Sequence, residues 1–294
     1  MATTLGRLIV ILGPTASGKT ALALELASRY NGEIVCADSR TIYRGMDIGT
    51  AKPTAEERAR VRHHLLDVVD PGERLSAAAF KALAEAAIAD IQARGKVPFL
   101  VGGSGLYIDA VAFDYEFPGP ADPARREQLE AMTDDELREL LAAEDMRAYE
   151  RVDLLNRRRV LRAIETAGQA RDRRNEPRAE TLLLGVMLNK EITQRRIERR
   201  VEEMLTQGFI REVESIGETY GWDSEALSVI GYRAFKDVAL GRKTAEEGAR
   251  DFVRGDMALY KKQVTWFKRN QQIRWAQNTG EADRMVREFL HGQV

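Results

Sequence analysis

The stretch Gly13-Pro14-Thr15-Ala16-Ser17-Gly18-Lys19-Thr20 meets the spacing G-x-x-x-x-G-K-[ST] at every fixed position, and it narrows the choice of fold sharply. The motif works only with a buried strand before it and a helix after it. The apolar run Leu8-Ile9-Val10-Ile11-Leu12 predicts the strand, and Ala21-Leu22-Ala23-Leu24-Glu25-Leu26-Ala27 predicts the helix. In that setting the glycines let backbone N–H groups turn inward around phosphate oxygens, and the helix N-terminus adds partial positive charge. Lys19 would meet the phosphates as a point charge, and the Thr20 hydroxyl would ligate magnesium. The bland alternative is an ordinary glycine-rich turn between a strand and a helix.

The alternation continues, which argues for a doubly wound parallel sheet. Residues 33–37 predict a second strand, residues 76–94 an alanine-rich helix, and residues 97–101 a third strand ended by Gly102-Gly103. Between residues 114 and 122 the cluster Pro118-Gly119-Pro120 breaks the pattern and marks a boundary. From residue 123 to 168 the chain is helical in pattern, with Asp134-Asp135-Glu136 opening a helix whose apolar face carries Leu137, Leu140 and Leu141. Residues 171–178 form a charged linker, and strand character returns only at residues 181–187. The expected architecture is therefore α/β: a P-loop core with a parallel sheet flanked by helices (residues 1–116 and 180–294), carrying an inserted all-helical module (residues 117–179). Long amphipathic helices are predicted over residues 192–206 and 245–270.

Composition bounds the chemistry. The 294 residues are 44% hydrophobic and 31% charged, enough for a proper core. No apolar run is long enough for a membrane span and the N-terminus lacks a signal pattern, so the expectation is a cytoplasmic protein. A single cysteine, Cys36, excludes an internal disulfide and is expected as a small buried strand residue; three histidines without cysteine partners offer no zinc site. The net charge of -1 hides two basic stretches. Residues 156–178 hold Arg157, Arg158, Arg159, Arg162, Arg171, Arg173, Arg174 and Arg178 against three acids, and residues 259–274 hold Lys261, Lys262, Lys268, Arg269 and Arg274 against none. Such patches can bind a polyanion, or they can be solvated helix faces.

A phosphate loop alone does not choose a reaction. More is decided by residues 38–53, DSRTIYRGMDIGTAKP, which begin at the end of the second strand, where an open parallel sheet places its ligands. Asp38 there would hold magnesium through water or accept a proton from an attacking group, unless it serves an Asx turn or a helix cap.

With these blocks in view the chain resembles the bacterial tRNA dimethylallyltransferase (tRNA isopentenyltransferase) family over most of its length. Seven blocks carry the resemblance in order: residues 13–20; 38–53; His63-His64-Leu65-Leu66-Asp67 with Asp70-Pro71; Arg94-Gly95-Lys96 through Gly102-Gly103-Ser104-Gly105-Leu106-Tyr107; residues 158–163; Ile230-Gly231-Tyr232-Arg233; and residues 261–268. The resemblance implies transfer of a dimethylallyl group from its diphosphate to the exocyclic amine of the adenosine 3′-adjacent to the anticodon in tRNA. It implies that Lys19, Ser17 and Thr20 with magnesium stabilise departing pyrophosphate, with Arg196 or Arg200 beside it, and that Asp38 takes the amine's proton. It also places Asp38, Ser39, Arg40 and Thr41 on the flipped adenosine. Ser104, Arg126, Arg158, Arg159, Arg162, Gly231, Tyr232, Arg233, Lys261, Lys262, Gln263, Thr265, Trp266 and Lys268 would then meet the tRNA anticodon stem-loop. Thr41 stands where many of the family have Gln, and Ser104 where they usually have Thr. Adjacent His63 and His64 face different ways and are expected to be structural.

Other readings of the same loop remain open: an adenylate isopentenyltransferase acting on a free nucleotide, a small-molecule kinase, or a nucleotide-gated RNA-binding switch. The helical insertion and residues 261–268 have no purpose in the first, and no lid arginine set is located for the second. The third lacks an apolar run ending in Asp after the second strand. A monomer is expected, because no long exposed coiled-coil seam is present.

Overall fold

A computed structural model describes residues 6–119, 122–166 and 174–292; Arg171 and Arg173 of the predicted linker lie outside them. The chain divides into two compact units, residues 1–113 with 176–294, and residues 114–175. The insertion was expected at residues 117–179.

The larger unit is built on a six-stranded parallel sheet. Its strands are β1 (Leu8–Leu12), β2 (Gly32–Ala37), β3 (His63–His64), β4 (Val97–Gly102), β5 (Thr181–Val186) and β6 (Arg274–Ala276), in the order β3-β2-β4-β1-β5-β6. Burial on both faces explains why β1 reads as an unbroken apolar run: all five of its residues are buried. The edge strands β3 and β6 escape the sequence pattern because two and three residues cannot show an alternation.

Helices α1 (Lys19–Arg29), α2 (Ala55–Arg60), α3 (Ala77–Ala93) and α4 (Gly105–Ala112) fall within the first 113 residues. Their limits follow local chemistry: Thr54 and Glu57 form a reciprocal capping box at α2, and Ser76 caps α3 through the Ala79 N–H.

The smaller unit holds α5 (Pro123–Ala131), α6 (Asp134–Glu144), α7 (Met146–Arg151) and α8 (Arg157–Glu165). Its own core gathers Leu129, Leu137, Leu141, Val160, Leu161 and Ile164.

After β5 the larger unit adds α9 (Lys190–Thr206), α10 (Phe209–Tyr220), a 3-10 turn (Glu225–Ser228), α11 (Ile230–Ala239), α12 (Ala245–Lys268) and α13 (Thr279–Leu290). Two cores result. One packs the sheet against α1 and α13, and the other joins Ile42, Tyr43 and Met46 to α9, α10, α11 and α12 around Phe209, Tyr232, Phe235 and Phe252. The Arg178 N–H donates to the Ala112 carbonyl at 2.8 Å, so the chain leaves and re-enters this unit at one point.

Candidate active site

The C-terminal ends of β2, β4 and β1, together with α9 and α12, line a cleft of about 1020 Å³. Open parallel sheets bind ligands at this edge. Close strand ends need residues without side chains. A Cβ on Gly102 would overlap the Ala37 carbonyl, and one on Gly13 would strike the Val186 carbonyl and lie 2.9 Å from Ser17 Oγ.

The phosphate loop closes tightly. The Ser17 N–H donates to the Pro14 carbonyl at 3.3 Å, and Lys19 Nζ reaches the same oxygen at 3.3 Å. Ala16 (φ 58°) and Gly18 (φ 91°) take left-handed conformations, which turn the chain into α1. Gly18 offers α1 no side-chain cap, and Ser17 Oγ is buried with no partner among the described residues. An uncapped helix start beside an orphan hydroxyl suits an anion that accepts from both. Burial pushes the Lys19 ammonium below its ordinary pKa; Asp38 props it up, while the Arg200 and Arg40 charges push it further down. A diphosphate there would relieve that crowding of positive charge.

Two arginines one turn apart on α9 complete the loop's wall. Arg196 donates to the Ala16 carbonyl at 3.4 Å, and Arg200 donates to the Thr15 hydroxyl at 3.1 Å. The geometry does not divide them, since both sit on the loop.

Asp38 follows β2 and lines the cleft with Ser39, Arg40 and Thr41. Its Oδ1 accepts from the Arg40 N–H at 3.0 Å, and its Oδ2 has no hydrogen bond to a described residue. This is the Asx turn that an Asp-Ser pair favours, and it still leaves one carboxylate oxygen for substrate. Ser104 fixes the turn: its hydroxyl accepts from the Ser39 N–H at 2.9 Å and lies 3.2 Å from Ser39 Oγ.

The oxygens offered to magnesium are few. Thr20 is exposed at the first turn of α1, Asp38 lines the same cleft, and among the described residues no cluster of three or more His, Cys, Asp or Glu is gathered. This donor set fits magnesium, which takes one or two protein oxygens and fills its shell with phosphate oxygens and water.

The residues expected on tRNA divide. Lys262, Gln263 and Trp266 line the cleft, while Lys261, Thr265, Lys268 and Arg233 are exposed outside its lining. Trp266 lies across Gly105 and donates from its indole to Asp109 at 2.9 Å. On the helical unit Arg158 and Arg159 are exposed, the latter 3.4 Å from Asp153. Arg126 pairs with Glu130 and with Glu165, whose side chain is 2% exposed. Arg162 donates to the Pro118 carbonyl at 3.0 Å.

Three of the residues expected on tRNA, Tyr232, Gly231 and Gln263, are engaged inside the fold. Tyr232 is fully buried, with its hydroxyl on Glu212, and Gly231 is buried where a Cβ would strike the Phe252 ring. Tyr232 braces residues 47–49, because Glu212 also accepts from the N–H groups of Asp47, Ile48 and Gly49 at 2.9 to 3.0 Å. Gln263 has both ends of its amide engaged, accepting from the Thr15 N–H and donating to the Gly103 carbonyl, each at 2.9 Å. It clasps the phosphate loop to the end of β4. Thr15 accordingly has its N–H on Gln263 and its hydroxyl on Arg200, and so serves as a brace for the loop.

Other blocks are also structural. Buried Glu33 binds Arg94, Lys96 (2.8 Å) and His64 (2.7 Å), which accounts for both the basic pair and the second histidine. Lys52, with a side chain 1% exposed, ties the Tyr43 carbonyl and Asp47 to Asp67. Cys36 is buried on β2, which pushes its thiol up to about 12.

Sequence reasoning missed Asp256. It is fully buried on α12 and accepts from Arg40 at 3.2 Å and from Arg200. Its signal was present: Phe252, Asp256 and Tyr260 follow at i, i+4 on one buried face, so a lone carboxylate interrupts an apolar stripe.

A phosphate loop, a part-engaged carboxylate on a neighbouring strand end and two α9 arginines in one cleft define a P-loop group-transfer enzyme. The chain belongs to the IPP transferase family, whose model matches residues 41–270. It is 38% identical over 296 residues to a tRNA dimethylallyltransferase of Anoxybacillus flavithermus, spanning 97% of this chain and 95% of that one. It is 41% identical over 281 residues to one of Desulforudis audaxviator, spanning 91% of each. Among solved structures it resembles the full-length tRNA isopentenylpyrophosphate transferase of Bacillus halodurans (TM-score 0.74, 35% identity, covering 98% of this chain and 96% of that one). The same fold recurs in a eukaryotic dimethylallyltransferase acting on tRNA (TM-score 0.86, 23% identity, covering 98% and 80%).

Proposed function

We propose that this chain transfers a dimethylallyl group from dimethylallyl diphosphate to the exocyclic amine of the adenosine 3′-adjacent to the anticodon of tRNA. The observation that carries this reading is the pairing, in one cleft, of a phosphate cradle with a carboxylate that has an unengaged oxygen. The cradle then holds a leaving group. As the allylic carbon–oxygen bond breaks, charge accumulates on the diphosphate, where Lys19, the uncapped start of α1, Ser17 Oγ and Arg200 present donors. Magnesium, when bound through Thr20, neutralises part of that charge.

Adenine's amine is a weak nucleophile, because its lone pair is delocalised into the ring. As the new carbon–nitrogen bond forms, Asp38 Oδ2 takes the amine's proton; Oδ1 stays on the Arg40 N–H, and Ser104 holds the turn still. The target base leaves its stack to reach Asp38, as bases do for enzymes that act on them. Lys262 and Trp266, at the cleft wall, are placed to meet the RNA, and Trp266 offers a ring face for stacking. We place the reaction in the cytoplasm and the enzyme as a monomer; among the described residues no helix is long and apolar enough to cross a membrane.

The test is to incubate the protein with magnesium, labelled dimethylallyl diphosphate, and either unmodified tRNA or AMP. Label is expected in tRNA alone, at the adenosine beside the anticodon. Label in AMP alone would overturn the reading.

A further inference from the structure

We infer that Asp256 is a positioning residue which sets the distance between the leaving-group site and the base, a role that rests on the function proposed above. Its two oxygens hold two different walls of the cleft. Oδ1 accepts from Arg40 Nη1 at 3.2 Å, and the Arg40 N–H in turn holds Asp38 at 3.0 Å. Oδ2 accepts from Arg200 Nη2, and the same nitrogen donates to the Thr15 hydroxyl of the phosphate loop at 3.1 Å. One carboxylate on α12 thereby ties the turn that carries the base to the loop that carries the diphosphate.

The charges make this necessary. Arg40 and Arg200 converge on Asp256 within a buried site, where burial disfavours the Arg200 guanidinium's charge, Asp256 supports it and the Arg40 charge opposes it. Without an anion between them the two guanidiniums repel, and both walls shift. With Asp256 present, Arg200 Nη2 is occupied by Asp256 and Thr15, while its Nε is buried and has no partner among the described residues. Nε is therefore a donor already desolvated and held in reserve, which suits an oxygen of the diphosphate. Asp256 itself is fully buried and lies outside the cleft lining, so it acts through the arginines and touches neither substrate.

The experiment compares wild type with Asp256→Asn, which keeps the shape but loses the charge. Folding is checked by circular dichroism, and transfer to tRNA is read as kcat and KM. Binding of pyrophosphate is read separately by calorimetry. We expect kcat to fall about 10- to 100-fold, as for a misplacement near 1 Å, with the KM for tRNA unchanged and pyrophosphate bound about tenfold more weakly. Wild-type kcat and wild-type pyrophosphate affinity in a folded Asp256→Asn protein would overturn the assignment. If that variant does not fold, Asp256→Glu is read in the same way. It keeps the charge and moves both oxygens by a methylene, so it must lose about tenfold in both readouts, and wild-type values overturn the role. Absence of tRNA prenylation by wild type is a different failure: it sinks the proposed reaction, while the pyrophosphate arm still reads the loop.

Discussion

At the scale of single residues, Asp38 and Glu33 show how two carboxylates on one strand and its end diverge. Asp38 keeps an unengaged oxygen in the cleft, so Asp38→Ala is expected to lower kcat by a factor on the order of 10² to 10⁴. Filter binding should find tRNA affinity retained; loss of binding with intact chemistry on a short stem-loop would make Asp38 an RNA contact. Glu33 is instead locked away. Hydrogen bonds from Arg94, then Lys96 and His64, hold its carboxyl far below the ordinary 4.5 against the cost of its burial. A depressed folded pKa gives stability that is complete above 4.5 and drains away as pH falls below it. Glu33→Gln should therefore cost about 3–5 kcal/mol near neutral pH, the usual cost of breaking a buried pair, with the gap to wild type closing toward pH 3 in urea titrations. The sequence made Asp38 legible because its place after a strand carries meaning. It could not make Glu33 so, since the partners Arg94 and His64 meet it only once β2, β3 and β4 are in register.

At the scale of elements, some motifs that resemble RNA-contact segments also have a structural place. Ile230-Gly231-Tyr232-Arg233 opens α11, and its inward face packs on Phe209 and Phe252 with the Tyr232 hydroxyl on Glu212. Glu212 holds residues 47–49, which puts the motif one step behind the cleft wall. Tyr232→Phe should cost about 1.5–3 kcal/mol in chemical unfolding, as for a buried bond to a charged group, and leave the salt dependence of tRNA binding unchanged. A shallower salt slope would return this face to the RNA interface. Strands β1, β2, β4 and β5 and helices α1, α3, α6, α9 and α12 were legible from their periodicity, whereas α10, α11 and α13 were not. The same holds for edge strands β3 and β6 and for the function of Gln263, whose amide looks like any polar residue beside lysines until the ends of β1 and β4 converge on it.

At the scale of the whole molecule, the chemistry belongs to one unit, which holds every cleft-lining residue, while exposed basic residues belong to both, Lys261, Lys262 and Lys268 to the larger and Arg158 and Arg159 to the helical one. Replacing both arginines with alanine is expected to weaken tRNA binding and to flatten its salt dependence by roughly one unit per lost phosphate contact, measured across a salt series. An unchanged slope would make this patch a solvated face. Pro118 and Gly119 led to an expected insertion at residues 117–179, whereas the compact units divide at residues 114 and 175. What no local pattern conveys is that the two crossings of that boundary lie side by side, bonded from the Arg178 N–H to the Ala112 carbonyl. The chain thus leaves and re-enters the larger unit at one place, and the helical unit has a core of its own. A short glycine-serine bridge in place of residues 114–175 should yield a folded miniature that still binds pyrophosphate in calorimetry but holds tRNA more weakly than the full chain.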